Sequence, residues 1–109
     1  MNVAEILTKA ADLIEPEGAW TLKANARDSE GRKTFASGED AVCFCMAGAL
    51  IHAGGGAYPK EFVDAVLPPA RGGLDRLVFF NDAPERTQAE VVAKLREAAE
   101  RALSQGGGR

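Results

Sequence analysis

The chain has 109 residues, the size of one domain built around one hydrophobic core. Thirteen basic against sixteen acidic side chains leave a net charge of −3, which gives no electrostatic footprint for nucleic acid or anionic lipid. A chain 46% hydrophobic and 27% charged has a globular composition, and no run approaches the roughly 20 apolar residues that span a bilayer.

The first element reads as an amphipathic helix. Asn2 stands as N-cap with Glu5 three residues on, and Val3, Ile6, Leu7, Ala10, Leu13 and Ile14 follow at helical spacing. Pro16 and Gly18 end it near Glu15, because proline cannot donate to the preceding turn. The start has no basic region and is interrupted by Glu5, Lys9 and Asp12, so it does not read as a signal peptide, and a cytoplasmic location is expected.

From Trp20 the period changes to two, with Trp20, Leu22, Ala24 and Ala26 on one face of an expected strand. Asp28-Ser29-Glu30-Gly31 is turn chemistry, after which Arg32 to Phe35 would return antiparallel as a β-hairpin packed on helices. Ser37 reads as the next N-cap, with Glu39 and Asp40 in the first turn. Ala41 to Ile51 carries no charge, which predicts a central helix apolar around its whole circumference. Gly48 inside it would permit a close approach by a neighbouring helix or by the hairpin. His52 lies in the last turn, where carbonyl dipoles favour its charged form, and Gly54-Gly55-Gly56 is the stop.

Pro59 to Leu67 predicts a short helix closed by Pro68-Pro69, and Arg71-Gly72-Gly73 a loop. Residues 74–80 fit a helical turn and a short strand equally well, and both remain open. Asn81-Asp82-Ala83-Pro84 is a turn. Thr87 and Glu90 form a capping box for a helix with Val91, Val92, Leu95, Ala98, Ala99, Ala102 and Leu103 inward, and with Glu90/Lys94, Arg96/Glu100 and Glu97/Arg101 as outer pairs. The expected fold is α+β: a mostly helical single domain over 1–104, with a disordered tail over 105–109.

The run Ala41-Val42-Cys43-Phe44-Cys45-x-x-Gly48-Ala49-Leu50, together with Phe80-Asn81-Asp82-x-Pro84-x-Arg86-Thr87-x-x-Glu90-Val91, resembles a family of small bacterial and phage proteins of unknown function. Its members are similar to this chain in a Lys-Ala-Ala-Asp-Leu-Ile-Glu-like helix, a Trp-containing extended segment, a Cys-x-x-Gly-Ala-Leu helix and an Asn-Asp-x-Pro-x-Arg-Thr turn. The resemblance implies an architecture and a bacterial or phage origin, and no activity comes with it.

The chemistry-bearing residues converge weakly. Cys43 and Cys45 read as reduced packing thiols, because burial raises a thiol's pKa and the two diverge on a helix. Cys45 and His52 share a helix face but lie about 10 Å apart along the axis, too far for a nucleophile and its base. One His and one Cys-x-Cys supply no zinc cluster, so no metal and no cofactor are expected. The three glycines follow a helix rather than lead into one, which is the wrong order for a phosphate cradle.

The best polar constellation is Asn81, Asp82, Arg86 and Thr87, with Arg27 and Asp28 from the hairpin turn; Trp20, like Tyr58, Phe79 and Phe80, reads as a core or rim aromatic and a candidate binding anchor. Asx turns, capping and an Asp82–Arg86 pair would make it structural, while a rigid turn with free amides would make it a binding surface. The expected function is a protein-interaction module that binds a protein partner or forms a homo-oligomer, without nucleic acid or membrane. The alternative is an enzyme holding a small molecule or anion around Asp82 and Arg86, helped by Cys45 or His52.

Overall fold

A computed structural model describes residues 2–55, 65–67 and 74–106. The first helix, α1 (Val3–Ile14), opens with the expected capping box: Asn2 Oδ1 accepts the Glu5 N–H at 2.8 Å and Glu5 Oε1 accepts the Asn2 N–H at 3.2 Å. Its buried stripe is Ala4, Ile6, Leu7, Ala10, Ala11 and Ile14. Leu13, expected in that stripe, is only half-buried at its margin.

The strand expected from Trp20 to Ala26 is reduced to its two ends. Trp20 makes a single parallel bridge to Phe44, and β1 is Ala26–Arg27 alone. Lys23, at φ 61°, takes a left-handed conformation that no extended strand admits, which interrupts the two-residue period and leaves Leu22 exposed. The Asp28–Gly31 turn forms as expected: Asp28 Oδ1 accepts the Glu30 N–H at 2.9 Å, and Gly31 has φ +82°. The returning segment contributes one antiparallel bridge, Arg27 to Lys33, closed by the Asp28 N–H on the Arg32 carbonyl at 2.8 Å and the Thr34 N–H on the Ala26 carbonyl at 3.1 Å.

The main antiparallel partner of β1 is β2 (Cys43–Phe44), in the register Ala26 to Phe44 and Arg27 to Cys43. This corrects the central helix. The uncharged run from Ala41 to Ile51 is a strand followed by a helix, α2 (Met46–Ala53), with Cys45 rather than Ser37 as N-cap. Backbone pairing explains the split. The Val42 and Cys45 N–H groups reach the Arg27 and Asn25 carbonyls at 2.9 and 3.1 Å on one side of β2, while on the other the Phe44 N–H meets the Ala19 carbonyl at 2.9 Å. A strand paired along both edges and followed by a buried helix is apolar throughout, and periodicity cannot tell it from one helix. The expected burial holds from Phe44 to Leu50, while Val42 is exposed and Ala41, Cys43 and Ile51 are half-buried.

Residues 74–80 resolve as helix α3 (Leu74–Asn81), and the last helix, α4, is Gln88–Gly106. The α4 backbone runs two residues into the expected tail; residues 107–109 lie outside the described residues, as do 56–64 and 68–73 with the expected Pro59 start, the Pro68-Pro69 stop and the glycine loop. Ala65 and Val66 are helical, and Arg101 ties them to α4 through the Ala65 carbonyl at 2.6 Å.

Helix α1 packs on α4 and α2, and α3 packs on α2. Arg96 does not pair with Glu100 but reaches across to Asp12 at 2.9 Å and Glu15 at 2.8 Å. Gln88 Nε2 donates to the carbonyls of Ile14 at 2.6 Å and Pro16 at 2.8 Å, so a side chain of α4 satisfies the open C-terminal end of α1. The architecture is a mostly helical α+β domain with a small antiparallel strand pair on one side.

Candidate functional site

Asn81 ends α3 with its side chain 0% exposed, the one fully buried polar residue among those described. Its amide is saturated. Oδ1 accepts the Trp20 indole N–H at 2.7 Å and the Met46 backbone N–H at 3.0 Å; Nδ2 donates to the Thr21 carbonyl at 3.0 Å and to Asp82 Oδ1 at 3.0 Å. A carboxamide offers two donor hydrogens and one oxygen with two acceptor sites, and here all four are taken. One side chain thereby joins the segment after α1, the first residue of α2 and the end of α3.

Asp82, half-buried, extends the cluster. Its Oδ1 also accepts the Lys23 backbone N–H at 3.2 Å, and Lys23 is the residue held left-handed. Arg27 secures the same segment from the far side, donating to Thr21 Oγ1 at 2.9 Å, the Gly31 carbonyl at 3.0 Å and the Leu22 carbonyl at 3.2 Å.

Of the sequence-predicted residues, the structure therefore gathers Asn81, Asp82 and Trp20 directly, and Arg27 through Thr21. Asp28 faces away into its own turn, where the Arg32 backbone N–H, then the Glu30 backbone N–H and the Arg32 guanidinium, hold its carboxyl below the usual aspartate value. Arg86 does not pair with Asp82. It donates to the Phe80 carbonyl at 2.8 Å, lies 3.8 Å over the Phe80 ring and approaches Glu90 at 3.7 Å. Thr87 is engaged in the predicted capping box, its N–H 2.8 Å from Glu90 Oε1 and its Oγ1 accepting the Glu90 N–H at 3.2 Å. Lys94 leans over Phe80 at 5.9 Å instead of pairing with Glu90.

Cys45 lies just behind this cluster. Its Sγ accepts the Gly48 N–H at 3.3 Å as the cap of α2 and points at Asn25 Oδ1, 3.8 Å away. Burial pushes the thiol above its ordinary value, with the Asp82 charge adding to the rise, and this outweighs the backbone N–H bonds from Gly48 and Ala47 that favour the thiolate. Both cysteines are free. Because Cys43 to Cys45 is extended rather than helical, their side chains fall on the same face of the strand and do not diverge. His52 is occupied elsewhere, its Nδ1 2.6 Å from the Ala36 carbonyl and its ring 5.0 Å from Phe44. Among the described residues no three His, Cys, Asp or Glu side chains are grouped to hold a metal ion, and no helix is long and apolar enough to cross a membrane.

Sequence reasoning missed Lys23, Asn25 and the capping role of Cys45. The last had a signal: the Cys-x-x-Gly spacing places a small residue at the third helical position, where an N-cap side chain finds its donor.

One family model, described as a family of unknown function (DUF6197), matches residues 1–101. No curated protein and no solved structure matches the chain.

Proposed function

The chain belongs to that family of unknown function, from which no activity is inherited, and we propose that it is a non-catalytic protein-interaction module of bacterial or phage origin, acting in the cytoplasm by binding a protein partner or a second copy. The observation that carries the reading is aromatic surface left in solvent: Phe35 on the loop after β1 is 82% exposed and Phe79 on α3 is 70% exposed. Large aromatic side chains anchor interfaces, and leaving them hydrated forgoes the burial that about 25 cal/mol per Å² rewards. Support also comes from the polar cluster, whose side chains are engaged in holding the fold. Arg86, the group an anionic substrate would need, is stacked on Phe80 and bonded to its carbonyl, which weighs against an enzyme centred on Asp82 and Arg86.

The test compares wild type with Phe35→Ser and Phe79→Ser by sedimentation equilibrium and by affinity capture followed by direct binding to the captured protein. Self-association, or a directly binding partner, that is lost in one serine variant of unchanged melting temperature supports the module. A monomer at every concentration, with no directly binding partner that either variant loses, defeats it.

A further inference from the structure

We draw no further inference here: the strongest candidate, the open groove of about 320 Å³ where Leu103 of α4 stands beside Ala4, Thr8 and the charged Glu5, Lys9 and Asp12 of α1, carries nothing because nothing in the structure shows what covers it.

Discussion

The indole N–H of Trp20 donates to the side-chain oxygen of Asn81 at 2.7 Å, across 61 residues of chain. The same oxygen accepts the Met46 N–H, so the entry to α2 and the segment after α1 are set by one acceptor. Asn81→Ala would leave the Met46 N–H, the Trp20 N–H and the Thr21 carbonyl without their partner. A buried polar group left unpaired costs about 1–3 kcal/mol, so the variant is expected to lose about 3 kcal/mol or more in urea unfolding. Asn81→Asp keeps the acceptor but places a second carboxylate beside Asp82, which raises the pKa of the pair. Its deficit is therefore largest at neutral pH and shrinks as pH falls through the raised value. A wild-type unfolding midpoint for Asn81→Ala would rule out the amide as the joint between these segments.

What was legible in the sequence was local chemistry. Both capping boxes, the Asp28 turn with Gly31, the inward face of α1 and that of α4 from Val91 to Ala99 follow from residues within four positions of one another, whereas Leu103, expected inward, is 54% exposed. What was not legible depends on partners distant in sequence. Cys43-Phe44 becomes a strand because backbone groups from Ala19 and Asn25 to Arg27 flank it, and Arg96 leaves Glu100 for carboxylates on α1. The candidate cluster was half legible for the same reason. Asn81 and Asp82 announce a turn, but nothing adjacent says that Asn81 is buried under Trp20 or that Arg86 prefers the Phe80 ring.

Gly48 marks where α2 passes the segment leading into β1. A Cβ there would overlap the Asn25 carbonyl, a backbone atom that cannot swing aside. Alanine ordinarily gains about 1 kcal/mol over glycine inside a helix. At this position steric conflict is expected to reverse the sign, so that Gly48→Ala loses about 1–3 kcal/mol by thermal or urea unfolding. A stabilised Gly48→Ala would show that the segment around Asn25 yields easily.

The two thiols should separate by accessibility. Cys43 is half-buried, while Cys45 is buried and its thiol is held above the ordinary value by desolvation. Iodoacetamide at neutral pH is expected to modify Cys43 first in the native protein and Cys45 only as fast as the fold opens, read by mass spectrometry of the peptides. Cys45→Ser retains an acceptor for the Gly48 N–H, whereas Cys45→Ala removes the cap and should be the less stable of the two by about 1 kcal/mol. Rapid stoichiometric labelling of Cys45 in the folded state would revive a nucleophilic role for it.

The start of α4 carries a pH dependence whose sign is fixed by Glu90. Hydrogen bonds from the Thr87 N–H, then the Thr87 hydroxyl, together with the Arg86 charge, hold its carboxyl below the ordinary value of 4.5. A group whose pKa is depressed on folding contributes stability fully above its unfolded pKa and loses it as pH falls through the folded one. Protection of the Thr87 amide, its exchange rate taken relative to the intrinsic rate at each pH, should therefore be high at neutral pH and fall only below the ordinary glutamate range. Glu90→Gln, which cannot ionise, should flatten that acid limb while leaving exchange in α1 unchanged. A carboxyl resonance of Glu90 that titrates at or above the ordinary value would contradict the box as drawn.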